Sequence, residues 1–274
     1  MSGKLIFLDI DGTLVNKKRE IPPSAAEAVR QARAAGHKLF ICSGRAPANL
    51  PEEIRALGFD GYVMATGAVV IAGERTISTH TADPQKLAAM ARILEHYHAT
   101  YYLLGVNGIY IHEAGFAQMQ RDMQGLNPAL LKKFTVDPHL TERTDITSWD
   151  YILCDIRVDQ LQEIIDAELG GYFHAEGASF GNDQIYNGEI TVTGVSKASG
   201  IAELVRYFDA SPEDTIAIGD GMNDLNMFSG VSVKVAMGNA VPALKAKADY
   251  ITSSVDEDGI RNALLQLGLI GGAC

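Results

Sequence analysis

The sequence predicts an α/β protein: a doubly wound, Rossmann-like parallel sheet whose chain is interrupted by an inserted α+β domain. Three observations carry this reading. Short apolar strands alternate with helices from Lys4 to Met64. Between residues 83 and 188 the pattern changes to helices and hairpins, with Asn-Gly pairs at Asn107-Gly108 and Asn187-Gly188. After Lys197 the first pattern returns. The core is therefore expected at 1–82 and 189–274, and the insert at 83–188.

Taken in order, Lys4 to Leu8 is a continuous apolar run, as a strand buried on both faces requires. It ends in a turn at Asp11-Gly12. Ser24 with Glu27 reads as a capping box for a helix over Ala25–Ala35 that stops at Gly36. Lys38–Cys42 is a second strand, Pro51–Leu57 a helix and Gly61–Met64 a third strand. In the insert, a helix spans Pro84–Tyr97, and a hairpin joins Thr100–Leu104 to Ile109–His112. A helix follows near Phe116–Gln124. Tyr151–Val158 reads as a strand, Gln160–Leu169 as a helix and Tyr172–His174 as a strand. Ser179–Tyr186 and Glu189–Thr193 read as strands flanking the second Asn-Gly turn. Trp149 is expected in this domain's core. The returning core has a helix over Ala198–Phe208 and a strand over Thr215–Ile218. A short helix is expected at Asp224–Phe228, a strand at Val231–Ala236, a helix at Val241–Lys247 and a strand at Tyr250–Thr252. A closing helix covers Glu257–Leu267, with Asp256-Glu257-Asp258 at its favourable end.

The chain has 274 residues and a formal net charge of −11, which argues against a nucleic-acid or anionic membrane partner over a broad face. Three scattered cysteines, Cys42, Cys154 and Cys274, lack the spacing of a disulfide framework or zinc site. Cys42 is expected as a buried thiol. The first apolar run is too short for a signal-peptide core or a membrane span, so a cytoplasmic location is the expectation.

Ligands of open α/β sheets bind at the carboxyl ends of the strands. Asp9 and Asp11, Ser43-Gly44-Arg45, and Asp220 with Asp224 follow predicted strands, and Lys197 precedes a helix. Four carboxylates crowded together repel unless a cation intervenes. A hard cation with oxygen ligands fits, and magnesium, which keeps water and substrate phosphate as further ligands, suits so few protein groups. One aspartate of the Asp-x-Asp pair can attack phosphorus while the other protonates the leaving oxygen. Lys197 would neutralise charge, and Ser43 with nearby amides would bind a phosphoryl oxygen.

Asp9-Ile10-Asp11-Gly12-Thr13-Leu14 resembles the first motif of the haloacid dehalogenase-like (HAD) phosphatases. Ser43-Gly44-Arg45, Gly194-Val195-Ser196-Lys197 and Gly219-Asp220-Gly221-Met222-Asn223-Asp224 are similar to the second, third and fourth, and Ala236-Met237-Gly238-Asn239-Ala240 adds to the match. Motif order, spacing and the long insert are similar to the Cof-type branch with a C2 cap, over the whole chain. The resemblance implies a magnesium-dependent phosphatase acting on a small phosphorylated metabolite through an aspartyl phosphate on Asp9. It implies Asp11 as general acid and then base, Ser43 and Lys197 as holders of the phosphoryl group, Gly44 and Arg45 as substrate contacts, and Asn223 as a contact to the substrate phosphate or a support of Lys197. Magnesium would be bound by Asp9, the backbone carbonyl of Asp11 and Asp220, with Asp224 ligating or orienting its waters. Thr66 in Thr66-Gly67-Ala68 departs from the Asn-Gly-Ala frequent in the family, which puts leaving-group contacts there in question. A phosphomutase of the phosphomannomutase type and a non-catalytic metabolite-binding module are the competing readings, and a homodimer is left open.

Overall fold

A computed structural model describes residues 3–122, 131–152, 155–177 and 187–271. The chain divides into two compact units, one of residues 1–45, 50–79 and 196–274 and the other of residues 46–49 and 80–195.

The first unit opens with β1 (Leu5–Leu8), β2 (Lys38–Cys42) and β3 (Gly61–Met64), which are parallel. Apolar side chains on both faces of β1 are almost wholly buried, as its unbroken hydrophobic run requires. Two further strands follow: β4 (Val69–Ala72) pairs antiparallel with β3, and β5 (Arg75–Thr79) antiparallel with β4. The sequence reading has no strand there, so the sheet is mixed rather than wholly parallel. The helix between β1 and β2 runs Pro23–Ala34 and starts one residue before Ser24. Its N-cap position is Pro22, without a side-chain cap bond, and the fixed φ of Pro23 pre-sets the first turn in place of the predicted Ser24 capping box. Gly36, at φ 91°, ends it as expected.

The second unit contains β6 (Thr100–Gly105), β7 (Gly108–Ile111), β8 (Phe134–Val136), β9 (Ile146–Ile152), β10 (Phe173–Gly177) and β11 (Asn187–Val192), in the order β10-β11-β9-β6-β7-β8. The β6–β7 hairpin forms as predicted. The other Asn-Gly pair does not turn: Asn187 and Gly188 lie inside β11, where Gly188 opposes Gly177 of β10. An added Cβ at Gly188 would meet the Glu176 carbonyl oxygen at 2.2 Å, so close strand approach, not turn geometry, explains this glycine. β9 starts earlier than the predicted Tyr151 and ends at Ile152, and β8 is a strand the sequence reading lacks. The predicted strand Ser179–Tyr186, together with Cys154 and Cys274, lies outside the described residues. Helices Pro84–His96 and Val158–Leu169 cover one face of the sheet, burying Leu87, Met90, Leu161 and Ile165 with Tyr101, Leu103, Trp149 and Phe173.

The chain then returns to the first unit through helix Lys197–Tyr207, β12 (Thr215–Gly219), helix Asp224–Ser229, β13 (Val233–Ala236), helix Pro242–Lys245, β14 (Tyr250–Ile251) and helix Gly259–Gln266. Asp256 and Glu257 belong to a separate 3-10 turn, and Asp258 caps the last helix in a left-handed conformation without a side-chain cap bond. The sheet order is β14-β13-β12-β1-β2-β3-β4-β5. β1 lies between β12 and β2, so the carboxyl ends of these three parallel strands are neighbours.

Candidate active site

Asp9 follows β1 directly, and its backbone N–H donates to the Ile218 carbonyl at 3.0 Å, extending the β1–β12 ladder by one bond. The chain then turns sharply. The amides of Leu14 and Val15 donate to the Ile10 carbonyl, and that of Gly12 to the Val15 carbonyl. Gly12 has φ 87°, and a Cβ there would lie 2.1 Å from Asp220 Oδ2, so glycine answers both the backbone conformation and the approach of the second acid.

Asp220 immediately follows β12. Its Oδ1 accepts from Thr13 Oγ1 at 2.9 Å. Asp224, the first residue of its helix, is completely buried. Its Oδ2 accepts from the amides of Asp220 (2.8 Å) and Gly221 (2.9 Å), which pins the intervening loop. Its Oδ1 accepts from Lys197 Nζ at 2.7 Å, and the same ammonium donates to Asp9 Oδ1 at 2.7 Å. Lys197 begins its helix, where Ser196 and Ser199 exchange side-chain and backbone bonds in a capping box that fixes the helix start.

The electrostatics follow from this packing. Burial and then the neighbouring Asp224 push the Asp9 carboxyl up to about 7, against the pull of Lys197. Burial pushes Asp220 up to about 6, opposed chiefly by the Thr13 hydrogen bond. Burial opposes the charge on Lys197, yet Asp224 and Asp9 hold its ammonium well above the usual lysine range. Carboxylate oxygens of Asp9, Asp220 and Asp224 all lie within 4.8 Å of one another. Three acids cluster around one lysine, which bonds two of them, so hard oxygen donors outnumber the cation. Those donors fit a divalent cation of the magnesium type. Among the described residues this is the one group with such spacing, and it contains no histidine or cysteine.

The predicted site residues do not all converge in the same way. Asp9, Lys197, Asp220 and Asp224 form the cluster. Ser43 is buried just after β2, where its amide donates to the Val63 carbonyl and its hydroxyl accepts from the Arg45 amide at 3.3 Å. The Asp11 carboxylate stands apart from the acid cluster, exposed, and is held by Arg45 through Nε and a terminal nitrogen at 2.9 and 2.5 Å. Arg45 thus meets the predicted acid–base residue. Gly44 lies next to Thr66, whose Oγ1 would be 3.4 Å from a Cβ at that position. Asn223 is exposed and makes no side-chain cap bond, and the neighbours of Lys197 are the two carboxylates. Cys42 is a buried thiol, as predicted. In the second unit, Arg143 is held by Asp137 and Asp145 over the Tyr110 ring, and Arg121 donates to Gln118.

Two residues enter the site without a role in the sequence reading. Asn239 donates from Nδ2 to the Gly12 carbonyl at 2.8 Å and to Asp220 Oδ2 at 3.3 Å, while its Oδ1 accepts from the Val255 amide. It ties the first and fourth motifs together. The Ala-Met-Gly-Asn-Ala segment signals its presence but not its partners. The other is Thr13, whose hydroxyl orients Asp220. Thr66 is buried at φ 53°, between Ala65 at φ 49° and Gly67 at φ 100°. Its amide donates to the Ser43 carbonyl at 3.2 Å, and a Cβ at Gly67 would meet the Ser196 carbonyl at 2.0 Å. This left-handed strap joins the second and third motifs.

Comparison with known proteins gives consistent results. The profile of the haloacid dehalogenase-like hydrolases matches residues 6–264. YkrA of Bacillus subtilis (strain 168) is 31% identical over 284 residues, covering 98% of this chain and 100% of that protein. Pyridoxal phosphate phosphatase YbhA of Escherichia coli (strain K12) is 28% identical over 271 residues, covering 95% of this chain and 97% of that one. The structure of the HAD subclass IIB sugar phosphatase BT4131 matches with a TM-score of 0.79 at 28% identity, covering 97% of this chain and 100% of that chain.

Proposed function

Because this chain belongs to the haloacid dehalogenase-like hydrolases, and within them is an enzyme of the phosphatase class, we propose that it is a magnesium-dependent phosphatase of a small phosphorylated metabolite with Asp9 as nucleophile. The observation that carries the reading is the buried Lys197 ammonium shared by Asp9 and Asp224, with Asp220 alongside.

In the proposed reaction, an Asp9 carboxylate oxygen attacks phosphorus as the bond to the ester oxygen breaks. The leaving alkoxide takes a proton from the Asp11 carboxyl. Water then gives a proton to the Asp11 carboxylate and attacks phosphorus, and the bond to Asp9 breaks. The products are an alcohol and inorganic phosphate, and both aspartates are restored. Lys197 favours the ionised form of Asp9 and offsets phosphoryl charge, and Ser43 binds a phosphoryl oxygen. Asp9, Asp220 and the Asp11 carbonyl would hold magnesium, which supplies positive charge for the phosphoryl oxygens. Both oxygens of Asp224 already accept protein hydrogen bonds, which suits an anchoring role. Arg45 bonds both carboxylate oxygens of Asp11, so the proposed proton transfer has Arg45 turn from Asp11 to the substrate.

The inserted unit serves as the cap that selects the leaving group. One relative is named for pyridoxal phosphate and one structural relative for sugar phosphates. Both names support a small phosphorylated metabolite as the substrate. A cytoplasmic location is part of this proposal, and three cysteines without disulfide spacing suit a reducing compartment.

The test is a panel of phosphorylated metabolites assayed with and without magnesium, for the wild type and Asp9→Asn. The variant is expected to keep its circular dichroism spectrum and lose turnover. Substantial phosphate release by a folded Asp9→Asn protein would sink the mechanism.

A further inference from the structure

The loop that follows β13 is zipped to the end of β12. The Met237 amide donates to the Gly219 carbonyl and the Val241 amide to the Asp220 carbonyl, each at 2.9 Å. On its other side the Gly238 amide donates to the Ser253 carbonyl at 2.9 Å. A Cβ at Gly238 would lie 2.6 Å from the Ser254 nitrogen, so the loop packs tightly on the 3-10 turn before the last helix.

Asn239 stands between these anchors. Its side chain is exposed, yet it spends both amide hydrogens on the protein. Nδ2 donates to the Gly12 carbonyl at 2.8 Å and to Asp220 Oδ2 at 3.3 Å, and Oδ1 accepts from the Val255 amide at 2.9 Å. These partners fix the orientation of the amide, because the Val255 N–H can only donate and the Gly12 carbonyl can only accept. Aspartate in its place would set an acceptor against two acceptors, and a hydroxyl has one hydrogen where two are used.

Two groups assigned above to magnesium are oriented by this network. Asp220 accepts from Thr13 on Oδ1 and from Asn239 on Oδ2, and donors on both oxygens fix the rotation of its carboxylate. In the turn after β1, the Gly12 amide donates to the Val15 carbonyl at 2.8 Å. A planar trans peptide aims its carbonyl opposite its N–H, so this bond sets the direction of the Asp11 carbonyl. Asn239 holds the next peptide through the Gly12 carbonyl. One amide thus braces the side-chain donor and the backbone donor together.

We propose, on the magnesium reading of the acid cluster, that Asn239 is a positioning residue that raises the site's affinity for magnesium relative to calcium. Magnesium demands near-octahedral geometry from its ligands, whereas calcium accepts more ligands in looser arrangements. Groups that orient metal ligands from behind are worth about 10–100-fold in metal affinity. Loss of the brace therefore costs magnesium more than calcium.

The experiment titrates metal-stripped, full-length wild type, Asn239→Ala and Asn262→Ala with magnesium and with calcium by calorimetry, and measures urea unfolding of each without metal. Asn262 is the matched control. Its Nδ2 donates to Ser253 Oγ at 2.8 Å and to the Glu257 carbonyl at 3.2 Å, bracing the same turn without bonding Asp220 or Gly12. Asn239→Ala is expected to weaken magnesium binding at least about tenfold and calcium binding less than about threefold. Asn239→Ser, with one hydrogen in place of two, is a second variant expected to lose the same preference. Asn262→Ala is expected to lose stability while both affinities stay within about twofold of the wild type. Equal losses for the two cations in the Asn239 variants, or the same loss of preference in Asn262→Ala, would overturn the proposal. A wild type that binds no magnesium overturns the magnesium reading and this proposal with it. Magnesium binding by the wild type with unchanged affinity in the Asn239 variants overturns this proposal alone.

Discussion

Replacing Lys197 with methionine removes the ammonium that Asp9 and Asp224 share at 2.7 Å each. Methionine keeps an unbranched apolar stem of similar length, so packing changes little. What changes is the charge balance around two buried carboxylates. Removing one partner of a buried ion pair costs about 3–5 kcal/mol, because the remaining charge is left unpaired. The pH dependence gives the sharper test. The folded-state pKa of Lys197 lies above its unfolded value, so its contribution is present in full below about pH 10 and is lost only as pH rises through the folded value. In the variant, Asp9 loses the influence that lowers its pKa and rises above the wild-type value of about 7. A carboxyl raised on folding weakens the folded state as pH rises from its unfolded value through its folded one. The variant therefore recovers by protonation toward about pH 5, and its deficit grows toward about pH 8. Urea unfolding of both proteins without metal, in steps between those limits, measures the difference. A deficit under about 1 kcal/mol at the alkaline end, or one of constant size, would refute the claim that Lys197 balances buried carboxylates.

Other perturbations probe the supports of the site. Gly12→Ala forces a side chain into φ 87° and against Asp220; a loss of about 2 kcal/mol or more in thermal unfolding and at least about tenfold weaker magnesium binding by titration are expected. Thr66→Asn places a residue tolerant of left-handed backbone where a β-branched one sits at φ 53°, so urea unfolding is expected to show a gain of about 1 kcal/mol; a loss would mean that the threonine's own contacts outweigh the strain. Asp150→Asn removes a carboxyl raised from 3.8 to about 6, and unfolding is expected to show a gain of up to about 3 kcal/mol above about pH 6 that disappears below about pH 4.

Much of the site could be read from sequence because it is built from strand ends. Apolar runs at Leu5–Leu8, Lys38–Cys42 and Thr215–Gly219 mark parallel strands, and the polar residues that follow them fall on one edge. That local logic located Asp9, Ser43 and Asp220 from residues far apart in the chain. It did not find β4 and β5. Gly73-Glu74 is a weak turn signal, and Arg75–Thr79 is largely exposed, so neither turn chemistry nor an apolar pattern announces the pair. The Ser24 capping box failed because Pro23 offers a competing local start.

By itself, the sequence determined the kind of chemistry available: four acids and a lysine at strand and helix ends, glycines where the turns need them, and an α/β core with an insert. Only the tertiary structure decided which group meets which. Lys197 lies 188 residues from Asp9, and Asn239 lies 227 residues from Gly12. Arg45 bonds Asp11, and the carboxylates of the second sheet meet through the register of three strands. Strand propensity, caps and turns act over a few residues, whereas hydrogen-bond partners and charge neighbours are set by how distant segments align once apolar side chains are buried.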